Sequence, residues 1–224
     1  FKSGTRHGGK VTGLAASGDP NKLIDKFRQV IKCDGLRLKA KEELFFDSSK
    51  LIPDWGNYEP ERLKKFLGEA TREDVAAGAQ KRLEEVAVEL ISNALNKTGL
   101  NKVVLAGGVF ANVLLNQKIR QLPKVDDIYI FPAMSDGGLA LGAALSFLSK
   151  LKRKEGRKLM PKNFGIVYFG PSYSNSKIEE DLARNKIIYK KMAEPAKEIA
   201  KLIYNNKIVA FYTGRMEYGP RALG

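Results

Sequence analysis

The sequence predicts a layered α/β fold, because apolar strands alternate with helical patterns over residues 102–148 and each strand there ends in glycines. One strand leads into VVLAGGVFANVLLNQKI, and the next leads into IYIFPAMSDGGLALGAAL. In open α/β sheets, ligands bind at the carboxyl ends of the strands. We therefore expect a ligand site near the Gly-Gly at 107–108 and the Asp-Gly-Gly at 136–138.

The Gly-Gly pair indicates an ATP site. Gly107 and Gly108 have no side chain, so a ribose or phosphate can approach the backbone closely. The helix that follows offers unpaired N–H groups and a positive dipole end to an anion. A Gly-Gly between strand and helix is by itself more typical of a tight turn. The Asp-Gly-Gly after the next strand favours the nucleotide interpretation.

Before these strands, two segments have a clear helical pattern and the segment between them has a weaker pattern. A Gly-rich opening ends at Pro20, and a helix should follow, with its apolar face at Leu23, Ile24, Phe27, Val30 and Ile31. Residues 34–56 show a weaker pattern, with possible short strands at 36–38 and 44–46. A short helix is expected over 59–67.

A long helix should begin at the capping-box pattern Thr71-x-x-Asp74 and run through Lys97 to the stop at Gly99. Its apolar stripe is Val75, Ala79, Leu83, Val86, Leu90, Ile91 and Ala94. The pattern then predicts a strand at 103–106, a helix over 109–120, a strand at 128–131, and a helix from Gly138 to about Lys150.

A change of composition predicts a second unit. Residues 150–162 are densely basic and without apolar periodicity, which is typical of a linker or solvated loop. Beyond them we expect a helix capped by Ser176 and Glu179, a strand at 187–189, a helix at 195–205 and a strand at 208–212. The predicted domains are 1–150, a linker at 151–163, and 164–224. The last is too short for an independent core.

Composition sets further limits. The 224 residues are 43% apolar, which supports a core, and no stretch resembles a membrane span or signal peptide. Cys33 is the only cysteine, so an internal disulfide is excluded and a cytoplasmic setting is expected, with Cys33 as a buried structural thiol. The chain starts at Phe1 and ends inside a motif, so we interpret it as a fragment.

The formal net charge of +14 has two interpretations. It suits RNA or anionic substrates, because a positive field attracts both. Lys and Glu also alternate along the predicted helices, as on solvated faces of heat-adapted proteins. We expect no nucleic-acid surface.

The C-terminal segment GRMEYGPRALG, residues 214–224, follows an apolar stretch and offers the core little. Arginine presents planar, bidentate donors that match phosphate or carboxylate. Arg215 and Arg221 are therefore candidate phosphate ligands. Alternatively, they are surface residues that pair with Glu217.

The segments GKVTGLAASG, VVLAGGVFANVLLNQKI, PAMSDGGLALGAAL and GRMEYGPRALG occur in this order in the nodulation-type O-carbamoyltransferases, which include antibiotic-tailoring enzymes. The whole chain resembles the middle of such a protein. This resemblance implies the second half of an actin-like ATPase (ribonuclease-H-like) fold. It also implies the start of an α+β C-terminal domain of the type that makes carbamoyl-adenylate from carbamoyl phosphate and ATP.

The resemblance also assigns site residues. It implies nucleotide contacts at Gly107, Gly108 and Asn112. Lys10 and Gly13, in the Gly-rich opening, would lie by the phosphates or the acyl group, with Lys10 as a catalytic candidate.

The metal and carbamoyl sites follow by the same resemblance. Asp136 would bind a divalent metal, iron or magnesium, which fits a hard carboxylate. Arg215 and Arg221 are candidate catalytic residues that would hold carbamoyl phosphate or the adenylate, with Glu217 orienting them. The remaining metal ligands are expected from an earlier segment, and His7 is expected to be a surface residue.

The implied reaction joins carbamoyl phosphate and ATP to carbamoyl-adenylate and transfers the carbamoyl group to an acceptor hydroxyl of a small molecule. The fragment itself is expected to be inactive. Two alternatives remain: a small-molecule kinase of the same superfold, which would lack GRMEYGPRALG, and a binding module related to RNA or tRNA modification. The acceptor and the oligomeric state do not follow from the sequence.

Overall fold

The computed structural model describes residues 8–45, 60–160 and 166–219. It forms two compact units, Phe1–Ile130 and Phe131–Gly224. Within the described part of the chain, no helix is long and apolar enough to cross a membrane.

The first unit mixes helices with two small sheets, which confirms the predicted α/β class. Short 3-10 turns at Ala15–Ser17, Pro20–Lys22, Glu42–Leu44 and Gly108–Ala111 connect its elements. In chain order these are α1 (Gly8–Leu14), α2 (Ile24–Val30), β1 (Ile31–Asp34), β2 (Arg37–Ala40), α3 (Pro60–Leu67), α4 (Arg72–Thr98), β3 (Lys102–Leu105), α5 (Val113–Arg120) and β4 (Asp127–Ile130).

Helix α4 has the ends that the sequence predicts. The Thr71 hydroxyl accepts a hydrogen bond from the backbone N–H of Asp74 at 3.1 Å, and Gly99 ends the helix with a left-handed φ of 68°. The second half of the predicted capping box is replaced. The Asp74 carboxylate accepts from the backbone N–H of Asp19 and from Lys22 Nζ, each at 2.8 Å. Asp74 therefore ties α4 to the segment before α2.

Gly18 permits that tie. A Cβ at Gly18 would lie 2.0 Å from the carbonyl oxygen of Glu73, so only glycine lets the two backbones approach this closely. The next residue, Asp19, then reaches the carboxylate of Asp74.

One core of the first unit forms where α2 and α3 pack beside α4. Gly78 of α4 lies against Phe27, because a Cβ there would be 2.7 Å from a ring carbon. Val75 and Ala79, from the predicted apolar stripe, pack against this core. Its buried members are Leu23, Phe27, Val30 and Leu67.

A second core lies under the parallel pair β3–β4, where Leu105 is paired with Ile130. Leu115 and Ile119 of α5 are fully buried there. Leu83 and Ile91 of α4 pack against them. The other face of the pair is open, since Val104 is 75% exposed. The strands thus alternate between an inward and an outward face, as expected for side chains with a period of two.

The Gly-rich opening, for which the sequence predicts no element, is helical from Gly8 to Leu14. Two expectations about the first unit were wrong. The α2 pattern ends at Val30, because Ile31 starts β1 of an antiparallel hairpin with β2. The possible strand at 44–46 is preceded by a 3-10 turn that includes Leu44, and residue 46 lies outside the described residues.

The hairpin holds Cys33, which is half-buried. Asn93 Nδ2 donates to the Gly35 carbonyl at 2.9 Å and lies 3.9 Å from Cys33 Sγ. Burial raises the pKa of the Cys33 thiol above its usual 9.0, which disfavours the reactive thiolate. The geometry agrees with a structural thiol.

The described residues of the second unit form three α-helices, α6 (Leu139–Lys154), α7 (Asn175–Arg184) and α8 (Pro195–Tyr204). Helix α6 continues past the expected end near Lys150, because Lys and Arg are good helix formers and stabilise a helix C-terminus. The N-cap of α7 is Ser174, not Ser176. The predicted domain boundaries and linker stay a prediction.

The two predicted strands of the second unit do not form. Residues 187–189 and 208–212 form no regular element and carry no ladder, and Ile188 is 99% exposed. A strand is stabilised by pairing and by burial of one face. Neither is provided for these segments by the described residues.

Candidate functional site

The loop after β3 forms a glycine turn, as the sequence predicts. Gly107 has φ 115° and ψ 152°, which side-chain-bearing residues avoid, and a Cβ there would meet no atom within 4 Å. Gly108 is exposed and begins the 3-10 turn before α5. The backbone at the end of β3 is therefore open to a ligand.

Asn112 links this loop to the protein interior. Its side chain is buried, and Oδ1 accepts from the backbone N–H of Leu115 at 3.2 Å, which caps α5. Its Nδ2 donates to Gln80 Oε1 at 2.7 Å. Both ends of the Asn112 amide therefore have protein partners. The predicted nucleotide contact of Asn112 stays a prediction.

Asn116, one turn further along α5, also holds the loop. Its Nδ2 donates to the Phe110 carbonyl at 2.7 Å. Among the described residues, no group donates a hydrogen bond to its buried Oδ1. A buried acceptor without a donor is uncommon and is costly unless a further group satisfies it. Sequence reasoning did not single out Asn116, although it lies within the quoted VVLAGGVFANVLLNQKI segment.

Lys10 and Gly13 lie on α1, three residues apart, and both are exposed. A Cβ at Gly13 would meet no atom within 4 Å. These residues belong to the same unit as the Gly107 loop but to a different element. Their predicted roles near phosphates stay predictions.

The Asp-Gly-Gly segment lies in the second unit and forms a 3-10 turn directly before α6. Gly138 has a packing role, since a Cβ would lie 2.2 Å from the Ala133 carbonyl oxygen. Gly137 is less confined, with the Ala133 methyl 3.8 Å from its Cβ position. Asp136 is exposed at the start of the turn.

Asp136 can supply one ligand to a metal ion but does not by itself form a complete metal site. Its carboxylate is a suitable ligand for a hard cation. Across residues 8–45, 60–160 and 166–219, no three His, Cys, Asp or Glu side chains come together as a metal cluster. His7 lies outside the described residues.

The motif GRMEYG contacts the Asp-Gly-Gly turn within the second unit. The Tyr218 hydroxyl donates to the Gly137 carbonyl at 3.3 Å. The Tyr218 ring makes edge contacts with Phe131, at 6.1 Å between centroids, and Phe169, at 5.9 Å. Aromatic pairs at these distances and angles are favourable. Two sequence-predicted motifs, 81 residues apart at these atoms, are thus neighbours.

Backbone pairing fixes the same segment. Tyr218 N–H donates to the Val167 carbonyl at 2.7 Å, and Gly170 N–H donates to the Met216 carbonyl at 3.0 Å. A Cβ at Gly170 would lie 2.3 Å from that of Met216, so glycine is needed for this approach. Sequence analysis did not single out Tyr218. Its position inside the motif was the available signal.

The arginines of the motif are only partly described. Arg215 Nε donates to the Gly170 carbonyl at 2.8 Å, and its side chain is exposed. Glu217 is half-buried and does not pair with Arg215, both being described residues. Arg221 lies outside the described residues. Arg215 and Glu217 thus form no ion pair with each other, and the roles of both arginines, as phosphate ligands or as surface residues, stay predictions.

Comparison with known proteins shows relatives along nearly the whole chain. An uncharacterized protein of Methanocaldococcus jannaschii is 34% identical over 222 residues, which are 96% of this chain and 35% of that protein. Nodulation protein NolO of Bradyrhizobium diazoefficiens is 31% identical, over 96% of this chain and 38% of its own length. Nodulation protein NolNO of Sinorhizobium fredii is 29% identical, over 96% and 31%. The chain spans about a third of these relatives.

The family described as Carbamoyltransferase N-terminus matches residues 1–145, which include α1, the Gly107 loop and the Asp-Gly-Gly turn. This confirms the predicted resemblance and the predicted transferase class. The chain belongs to the carbamoyltransferase family and corresponds to part of its N-terminal region.

Proposed function

We propose that the full-length protein is an ATP-dependent O-carbamoyltransferase. The observation that carries the proposal is the family match over residues 1–145. The open glycine turn at Gly107 supports it, because that turn suits a nucleotide at the end of a strand. The fold proposed for this region is the second half of an actin-like ATPase.

The proposed reaction has two steps. Water hydrolyses carbamoyl phosphate to carbamate and phosphate, and a carbamate oxygen then attacks the α-phosphorus of ATP, so that the bond from this phosphorus to the β-phosphate oxygen breaks and pyrophosphate leaves. The acceptor hydroxyl oxygen then attacks the carbamoyl carbon, the bond from that carbon to the adenylate oxygen breaks, AMP leaves, and the hydroxyl proton passes to solvent or a base. The proposed acceptor is a hydroxyl group of a small molecule.

The residues of this chain would bind and orient. Backbone at Gly107 and Gly108 would receive the nucleotide. Arg215, whose Nε is held by the Gly170 carbonyl, would present its terminal guanidinium nitrogens to a phosphate or carbamoyl oxygen. We further propose Lys10 as a phosphate-side cation and Arg221 as a second guanidinium.

Asp136 is proposed as one ligand of a divalent metal, with other ligands outside the described residues. Such a metal would stabilise negative charge on oxygen. No step is assigned to it, because a single carboxylate does not define a site. The positioned turn before α6, held by Tyr218, would keep that carboxylate in place.

The test is to give the intact protein ATP and carbamoyl phosphate without an acceptor. We expect carbamoyl phosphate to stimulate the formation of AMP and pyrophosphate, measured by chromatography of the nucleotides. Omitting carbamoyl phosphate is the control. If ADP forms instead, upon addition of a sugar or carboxylic acid, the protein is a kinase. No carbamoyl-phosphate-dependent cleavage of ATP by folded, metal-loaded protein would overturn the proposal.

A further inference from the structure

A ladder of polar contacts connects α4 to the Gly107 loop inside the first unit. Gln80 and Glu84 are four residues apart on α4 and therefore share one face. Gln80 Nε2 donates to Glu84 Oε1 at 2.8 Å, and Gln80 Oε1 accepts from Asn112 Nδ2 at 2.7 Å. Lys118 Nζ of α5 lies 2.9 Å from Glu84 Oε2.

The charge of Glu84 decides which way the amides of this ladder point. An ionised carboxylate only accepts hydrogen bonds, so the Gln80 amide must turn its NH2 group to Glu84. Its oxygen then faces Asn112, and Asn112 must turn its own NH2 group toward that oxygen. This leaves Asn112 Oδ1 to accept from the backbone N–H of Leu115, the first buried residue of α5, at 3.2 Å, and from Gln80 Nε2 at 3.3 Å.

Burial gives this order of donors and acceptors its weight. Glu84 is 7% exposed and Asn112 is 8% exposed. If the Asn112 amide turned over, its NH2 group would face the Leu115 N–H, and both donors would lose their acceptors. A buried unsatisfied group costs about 1–3 kcal/mol. The carboxylate of Glu84 at one end of the ladder and the backbone N–H of Leu115 at the other therefore favour the same orientation of the Asn112 amide at the end of the Gly107 loop.

We infer that Glu84 is a positioning residue for the nucleotide loop and acts through Gln80 and Asn112. Strand β3 holds the start of this loop, and the Asn112 cap holds its end. Glu84 is hydrogen-bonded to Gln80 and paired with Lys118, and its effect on the loop passes through the two amides. The inference rests on the proposed function, because it assumes that the loop binds ATP.

Glu84→Gln is the direct test, made in the full-length protein. It keeps size and shape but removes the obligatory acceptor, so the Gln80 amide can take either orientation. We expect the dissociation constant and the KM for ATP to rise about tenfold, which corresponds to ~1.4 kcal/mol. The KM for carbamoyl phosphate should change little.

Glu85→Gln is the matched control on the same helix. Glu85 makes ion pairs with Arg28, at 2.7 Å, and Arg82, at 2.8 Å, and is no member of the ladder. The chemical change is identical, and Glu85→Gln removes two ion pairs where Glu84→Gln removes one. ATP binding by Glu85→Gln should match the wild type even if its thermal stability falls.

The double variant Gln80→Glu with Glu84→Gln is expected to restore ATP binding. The carboxylate at 80 would accept from Asn112 Nδ2 directly, which restores the original orientation of the Asn112 amide. The amide at 84 can donate to that carboxylate. ATP affinity should return to within about twofold of the wild type, whereas a role limited to general stability would give additive losses.

Hydrogen exchange of the Leu115 N–H provides a readout that needs no nucleotide. Its exchange should be faster in Glu84→Gln than in the wild type and Glu85→Gln, because its acceptor is lost part of the time. Unchanged Leu115 exchange in Glu84→Gln would refute the inference whatever happens to ATP. Faster exchange with unchanged ATP affinity would refute the positioning role. Absence of ATP binding in the wild type would refute the proposed function, and the positioning role would fall with it.

Discussion

Asp74 shows how much one side chain can contribute to this fold. Hydrogen bonds from Lys22, the Asp19 backbone and Thr71 stabilise its ionised form and lower the pKa of the carboxyl from 3.8 to about 2, the bond from Lys22 being the largest cause. The contacts join α4 to a segment more than fifty residues earlier.

Acid should therefore weaken the first unit through Asp74. The carboxyl has a lower pKa in the folded chain than in the unfolded chain, so its contribution is complete above about pH 4 and is lost as pH falls toward about 2. Asp74→Asn should be less stable than the wild type at pH 7 and should lack this part of the pH dependence. Urea unfolding of both proteins at pH values from about 2 to about 7 measures this difference in the free energy of unfolding.

The control for that experiment is Asp25→Asn. Asp25 pairs with Arg28 at 3.0 Å on the surface of α2, and exposed pairs of this kind contribute little. An Asp74→Asn profile parallel to that of the wild type at every pH would contradict the assignment.

Gly107 is the other residue with a specific requirement. Its φ of 115° is strained for any residue with a Cβ, whereas Gly108 lies in a 3-10 turn with an ordinary φ. Gly107→Ala should lower the free energy of unfolding by about 1–3 kcal/mol and weaken ATP binding. Gly108→Ala is the matched variant and should cost less. Equal unfolding midpoints for the two would show that Gly107 does not keep this conformation.

At the scale of elements, the packing of α2 on α4 depends on Gly78. A methyl group there would lie 2.7 Å from the Phe27 ring, closer than carbon atoms approach. Gly78→Ala should destabilise by about 1–3 kcal/mol in spite of the better helix propensity of alanine. Thermal and urea unfolding measure the change.

At Gly142, in contrast to Gly78, alanine should stabilise the protein. It lies inside α6, is exposed, and has no atom within 4 Å of its Cβ position. Gly142→Ala should therefore gain about 0.5–1 kcal/mol from helix propensity alone. A loss at Gly142 as large as that at Gly78 would mean that packing against Phe27 is not the cause.

Elements were predictable where local signals were complete. Thr71 and Gly99 mark both ends of α4, and the apolar stripe between them shows which side is buried. Residues 187–189 and 208–212 have the composition of strands, but the described residues give them no partner, and pairing depends on another segment. The possible strand at 36–38 overlaps β2, whereas its partner β1 was missed because its half-polar residues carry no strong alternation.

At the scale of the whole molecule, the charge of +14 poses the remaining question. Many cations lie in short ion pairs along the helices, such as Lys177 with Glu180 and Arg184 with Asp181. These pairs fit a solvated, charged surface.

We accordingly expect weak binding to generic RNA, with little dependence on salt. A surface built for nucleic acid would lose affinity steeply as salt rises, because each phosphate contact releases counterions. Titration of labelled RNA at several salt concentrations measures the slope. A slope equivalent to several phosphate contacts would contradict this expectation and favour an RNA-binding role.

The amino-acid sequence by itself determined the α/β class, the ends of the long helix, the glycine turn after β3 and the family, because these depend on periodicity, caps and motifs within short stretches. The tertiary structure decided what Asn112, Asp74 and Tyr218 do. Asn112 caps a helix and meets Gln80, Asp74 binds a distant backbone N–H, and Tyr218 reaches the Gly137 carbonyl. These partners are 32, 55 and 81 residues away, and a hydrogen bond at such a separation exists only after folding has brought its two atoms together.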